Sequence, residues 1–258
     1  MISFEKFVFC CLLFSVPFTF INAQSTRDSA QIDKLRTESG VDPTRVQSRV
    51  GYSLLMYDQK GASGQISNKA SLTVGVNRWS FAMKFESVTK TGLPGNGFSS
   101  GFGDIKFSVL NAVYVNGKQA LAASAEFSIP TGKPGFGSQY FSVSPALTYS
   151  YTINPTFIFA IQPQYTFALL KDPLYPQLSV LTIRPFFAKF MASGFFYVFE
   201  PRPIIDFASK KTDLILSPII GKSLGKGFNL IFLTEYPVKK ETRDGRGVLY
   251  QVGFNKNF

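Results

Sequence analysis

The chain has 258 residues, no histidine, and two cysteines, Cys10 and Cys11, both inside its first apolar stretch. Ser-His-Asp and Cys-His catalysis and His-ligated metals are therefore excluded, and no catalytic residue, metal or cofactor is expected. The net charge of +11, from 27 Lys and Arg against 16 Asp and Glu, is dispersed without a dense basic run, which disfavours nucleic acid as a partner and suits an anionic membrane surface or an anion-favouring lumen.

Residues 1–23 carry Lys6 and then an apolar run over 7–21, ending Ile21-Asn22-Ala23. This predicts a secretory signal peptide cleaved after Ala23. A lipoprotein signal is not predicted, because Phe9 rather than a small residue precedes Cys10. The run is also short for a membrane helix. Residues 24–45 are polar and mixed in charge, and predict a periplasmic lead-in with a helical turn around residues 32–35 and no chemistry.

Beyond residue 45 the composition turns to strand. Aromatic residues make 16% of the chain, with Phe 28 and Tyr 11, while charged residues make only 17%, below the usual quarter. Aromatic and β-branched residues favour strands, and a mean hydropathy of +0.09 is too low for a bundle of membrane helices. About twelve alternating stretches follow, each of about nine to thirteen residues, the length a tilted strand needs to cross a bilayer. They cover 46–57, 68–76, 79–89, 103–115, 119–129, 140–151, 156–168, 178–190, 195–206, 212–222, 228–237 and 247–258. Connections after odd-numbered stretches are mostly long. Those after even-numbered ones are short, such as Asn77-Arg78 and Asn116-Gly117-Lys118, and Asn-Gly suits a type I′ hairpin, whose two central residues need positive φ. The fold class predicted is all-β, a transmembrane antiparallel up-and-down barrel over 46–258. A soluble sandwich has no reason to segregate loop length in this way.

The two faces of the stretches agree with a barrel. Trp79, Phe81, Met83 and Phe85 alternate with Ser80, Ala82, Lys84 and Glu86 in the third. The polar face carries small residues and single charges instead of dense Lys and Glu, which suits a shared lumen. Alternation puts Arg49, Lys84, Glu86, Lys106 and Glu126 on that inner face. Gln162 and Gln164 of the seventh stretch join them, followed by Glu200, Arg202, Asp206 and Glu235. These are the candidate lumen-lining residues, read either as a polar constriction on a solute path or as a ladder of ion pairs filling a narrow barrel. Bulky inward residues such as Leu55 and Tyr114 would also fill space. Trp79, Tyr149, Tyr151, Tyr165, Tyr236 and Phe254 are read as interface girdles.

Six prolines, Pro145, Pro163, Pro185, Pro201, Pro203 and Pro218, fall inside the later stretches. Each removes a ladder donor, so bulges, bends or ladder ends are expected there. Gly221-Lys222-Ser223 is not a P-loop, because Leu216 stands where the pattern needs glycine. The glycine-rich segments 97–103 and 132–137 read as solvated outer turns or as lids on a pore. In the last stretch Tyr250, Val252, Phe254 and Phe258 alternate with polar or small residues. This stretch is predicted to pair with the first, closing the ring. Its aromatics face lipid, and Phe258 serves as an assembly signal read by the barrel-assembly machinery.

Three segments carry a family resemblance: residues 74–81 (VGVNRWSF), Gly101-Phe102-Gly103-Asp104 with Ile105-Lys106, and Phe127-Ser128-Ile129-Pro130-Thr131-Gly132. The chain resembles the outer-membrane family described as phenol meta-pathway degradation proteins, also called transporters. The resemblance implies an outer-membrane barrel passing small molecules, hydrophobic or aromatic ones among them; its description is no evidence of catalysis, and the chain has no catalytic constellation. Its partners are then outer-membrane lipids and a small-molecule solute. A non-conducting structural or partner-binding barrel is the alternative.

Overall fold

Aromatic and β-branched residues at every second position give each strand one lipid-side and one interior face. The computed structural model describes residues 26–42, 45–58, 64–93, 97–170, 177–241 and 247–258; the expected signal peptide over 1–23 lies outside the described residues. In chain order the elements are α1 (Thr26–Ser39), β1 (Arg49–Asp58), β2 (Gly64–Val76), β3 (Trp79–Leu93), β4 (Gly97–Phe102), β5 (Ile105–Asn116), β6 (Gln119–Ile129) and β7 (Ser142–Asn154). They continue with β8 (Phe157–Ala168), β9 (Ser179–Phe190), β10 (Phe195–Asp206), β11 (Lys211–Gly225), β12 (Phe228–Lys240) and β13 (Leu249–Asn257). β4 and β5 both pair with β3, one beyond the other, and form a single wall interrupted at Gly103-Asp104. The barrel therefore has twelve antiparallel walls.

The ring closes where the sequence predicts. β13 pairs with β1 from Arg49↔Asn257 to Tyr57↔Leu249, and the sheet has no free edge. Tyr250, Val252 and Phe254 point outward and are exposed, while Leu249, Gly253 and Asn257 are buried inside. β7 shows the same division, with Ser144, Ala146, Thr148 and Ser150 inside and Pro145, Leu147 and Tyr149 outside.

Several details differ from the sequence expectation. The glycine-rich segment 97–103, read as a solvated outer turn or lid, is strand over Gly97–Phe102 and pairs with β3. Tyr114 faces outward and is 47% exposed. The register of β5 on β6 shifts between Asn111 and Tyr114, and the extra residue of this bulge flips the faces beyond it. Asn116 pairs with Gln119, so the two-residue hairpin loop is Gly117-Lys118, with positive φ at Gly117, rather than one centred on Asn116-Gly117. The outer connection between β10 and β11 is only residues 207–210, no longer than the inner connection 191–194.

The prolines also find a place. All six point outward, on the opposite face to Ser144, Gln162, Arg184, Glu200, Arg202 and Ser217. Each interrupts the ladder on one side of its strand only. β9 and β10 pair at Phe199↔Phe187 and again at Ile204↔Thr182, and the interval holds Pro185, Pro201 and Pro203. The other sides of these strands keep unbroken ladders, β8 with β9 and β10 with β11.

Candidate functional site in the barrel lumen

The segment before β1, expected as a periplasmic lead-in with a helical turn, forms α1 and packs against the inside of the barrel wall. Within a polar stretch, Ile32 and Leu35 are spaced to share one helix face. Both are buried against Ile158, Ala160, Ala188, Phe190, Phe196 and Val198, inward side chains near the short-loop ends of β8, β9 and β10. α1 thus fills part of the inner mouth. Room for the Phe196 ring comes from Gly221 on β11, where a Cβ would stand 1.9 Å from the ring.

The helix stops at Gly40, whose φ of 68° gives the left-handed turn of a helix C-terminus. Its last turn is held from the barrel side. The Asn229 and Asn257 side-chain amides both donate to the Glu38 carbonyl. Arg36 donates to Asp42 at 3.3 Å and to Thr152 at 2.9 Å. Arg45 turns back to donate to Asp33 at 2.6 Å, and this bond holds the Asp33 carboxyl below its ordinary value against the opposing effect of burial.

Above the helix, two ion-pair networks stand on the barrel wall. Glu200, only 3% exposed, accepts from Arg184 Nε at 2.6 Å and from Arg202 Nε at 2.9 Å, and Arg202 reaches on to Glu235 at 2.7 Å. This chain crosses β9, β10 and β12 on the lumen side of the interrupted β9–β10 ladder. The second network centres on Glu126, with Lys84 at 2.5 Å and Lys106 at 3.7 Å. Lys69 and Glu86 face each other across β2 and β3 beside it.

A cavity of about 270 Å³ lies between the wall and Gly40, Asp42, Arg45, Val46, Gln47 and Arg49. Its hydroxyls come from Thr73, Ser80, Ser108, Ser124 and Ser144, and its amides from Gln47, Gln162 and Gln164. Charged groups on its surface are Arg45, Arg49, Lys84 and Arg184 against Asp42 and Glu126. The arrangement can hold or pass a small polar or anionic guest. No group of three or more His, Cys, Asp or Glu able to hold a metal occurs among the described residues.

Of the residues named from sequence, the structure brings Arg49, Lys84, Glu126, Gln162 and Gln164 to this cavity. Lys106, Glu200, Arg202 and Glu235 lie in the adjoining ion-pair networks, and Glu86 in the register opposite Lys69. Asp206 stands apart at the end of β10, where its carboxylate accepts from the Ala208 and Ser209 backbone and from the Ser209 hydroxyl, capping the turn into β11. Tyr250, Val252, Phe254 and Phe258 are exposed on the outer face of β13 or just past its end, with Phe258 N–H donating to the Ser48 carbonyl. Sequence alternation did not mark Arg184, because β9 is apolar on both faces, with Phe186 and Phe190 turned in toward α1. Arg45 and Asp42 were missed because their segment had no strand pattern.

The family motifs have a structural reason. Asp104, closing Gly101-Phe102-Gly103-Asp104, accepts from Gly132 N–H at 3.2 Å, Ser138 N–H at 2.6 Å and Ser138 Oγ at 2.5 Å. The glycine-rich segment 132–137 is thereby folded onto the wall at the outer mouth, with Lys90 bonded to the Gly135 carbonyl and lying over the Phe136 ring.

A family model described as "Putative MetA-pathway of phenol degradation" matches residues 87–245. Among solved structures, the chain is similar to an outer membrane channel from Pseudomonas putida F1, with a TM-score of 0.66 at 12% identity, covering 83% of this chain and 96% of that one. It is similar to NanC porin, with a TM-score of 0.60 at 10% identity over 82% of this chain and 100% of that one. KdgM porin gives 0.58 at 10% identity over 81% and 99%. No curated protein sequence matches the chain. At these identities the likeness speaks for the fold, which is that of bacterial outer-membrane porins.

Proposed function

From the premise that the chain belongs to the family described as "Putative MetA-pathway of phenol degradation" and is a porin-like barrel of the bacterial outer membrane, we propose that it is a channel for passive passage of small molecules. The observation that carries this reading is the polar cavity in the lumen, walled by serine hydroxyls, glutamine amides and ion pairs instead of a packed apolar core. The family description supports aromatic compounds among the solutes. Catalysis forms no part of the reading.

Purified full-length protein in liposomes tests it. Influx of small uncharged and charged solutes, read by swelling, is expected above that of protein-free vesicles. Tight vesicles containing folded protein would refute it. The second reading, a non-conducting structural or partner-binding barrel, is favoured by one observation: α1 occupies the inner mouth with Ile32 and Leu35 fully packed.

During biogenesis the outward aromatics of β13 and Phe258 suit recognition by the barrel-assembly machinery, and the exposed outer belt, Trp79 and Phe81 included, suits contact with outer-membrane lipids.

A further inference from the structure

Every acid on the cavity surface already has its cations. Asp42 is paired with Arg36 and Arg45, and Glu126 with Lys84 and Lys106, while Arg184 is committed to Glu200. Arg49 is different. Its guanidinium forms no ion pair or hydrogen bond with any described residue, and its Nε is buried without a partner. The guanidinium lies against Gly40, where a Cβ would stand 1.9 Å from Nη1, so any larger residue at that position would displace it. A desolvated cation without a counter-charge is a costly group, and a buried polar atom without a partner in a polar cavity calls for a guest.

We propose that this cavity is a binding site for one small organic monocarboxylate, held by the Arg49 guanidinium. The guanidinium presents a planar fork of donors that matches a carboxylate. A single uncommitted cation suits a monoanion, whereas a phosphate dianion would need a second one. The cavity's volume of about 270 Å³ falls just below the range of about 300–1,000 Å³ that houses drug-sized ligands, so the guest is smaller than these. The serine hydroxyls and glutamine amides around it supply further donors, and the small side chains of Ala82 and Ala146 leave space for the guest's body. This deepens the channel reading, and rests on it for the claim that the guest is a solute in passage.

The probe is sodium benzoate, with benzyl alcohol as its uncharged counterpart of similar shape and sodium phosphate as the inorganic anion. Each is titrated by calorimetry into the full-length protein in detergent, after gel mobility without boiling has shown the barrel to be folded. Benzoate should bind roughly tenfold or more tightly than benzyl alcohol, the contribution of a charge-assisted hydrogen bond, and more tightly than phosphate. Arg49→Gln should bring benzoate down to the level of benzyl alcohol. Arg49→Lys, which keeps the charge and loses the fork, should retain part of the preference and serves where Arg49→Gln does not fold. Equal binding of benzoate and benzyl alcohol to the wild-type protein overturns the proposal and leaves Arg49 as a cation resting on the C-terminal end of α1. Tighter binding of phosphate than benzoate overturns the choice of monocarboxylate. Liposome flux is a separate readout: tight vesicles with benzoate binding intact refute the channel and keep the site, while flux without benzoate binding does the reverse.

Discussion

Replacing Glu200 tests how the barrel holds together where its ladder fails. Between Phe199↔Phe187 and Ile204↔Thr182 the β9–β10 seam lacks backbone pairing, and in a bilayer unpaired backbone groups are costly. On the lumen side of that seam Glu200 takes three hydrogen bonds, from Arg184 Nε at 2.6 Å, Arg184 Nη2 at 3.2 Å and Arg202 Nε at 2.9 Å. Glu200→Ala leaves two guanidinium groups facing each other without their shared carboxylate. Removing one partner of a buried ion pair costs about 3–5 kcal/mol. Because Arg184 is 37% exposed and keeps contact with water, the lower end, about 3 kcal/mol, applies. With a urea dependence of about 1–3 kcal/mol per molar, the unfolding midpoint in detergent micelles should fall by ~1 M or more. Glu200→Gln retains an acceptor and should fall less. A Glu200→Ala midpoint within ~0.2 M of the wild type would show that the seam does not lean on these ions.

Three further outcomes follow from the geometry. Ile32→Asn places an amide in the apolar pocket of Phe190 and Phe196 and should reduce hydrogen-exchange protection of residues 26–39 by about 2 kcal/mol or more, while protection of β8 to β10 stays near wild type; equal loss in both would mean that α1 and the wall unfold as one unit. The Asp33 carboxyl is held below its ordinary value by Arg45, so its contribution is present above about pH 4 and disappears as pH falls through the lowered value. Asp33→Asn should accordingly melt below wild type at pH 7, with the gap narrowing as the pH falls below about 4, and a difference independent of pH contradicts this pairing. Phe258→Ala, at a side chain 75% exposed, should reduce the fraction inserted in outer-membrane fractions without changing the melting point of the molecules that do insert; normal insertion removes Phe258 from the assembly signal.

How much of this was legible in the sequence depended on whether a face had one chemistry along its length. β13 does, with Tyr250, Val252 and Phe254 against Gln251, Gly253 and Asn255, so strand, orientation and the closing pair with β1 could all be read. Glu200, Arg202 and Glu235 were readable as inward charges for the same reason. Arg184 was not, since its strand turns Phe186 and Phe190 inward to pack on α1 and so shows apolar residues on both sides. Nor could α1 be placed: two apolar residues, Ile32 and Leu35, do not announce a buried helix, and only the facing pocket tells where they go. Tyr114 misled because alternation assumes an unbroken ladder, and the bulge after Asn111 breaks it. The prolines looked like obstacles because sequence does not show that a strand can lose its ladder toward one neighbour and keep it toward the other.

The most direct test of the central claim is conductance of the purified, full-length protein in a planar lipid bilayer. A channel with this polar lumen cavity gives discrete current steps after insertion, absent from bilayers treated with detergent alone. Folded, inserted protein that leaves the bilayer at its baseline current would contradict the account and favour a barrel closed by α1 and its own side chains.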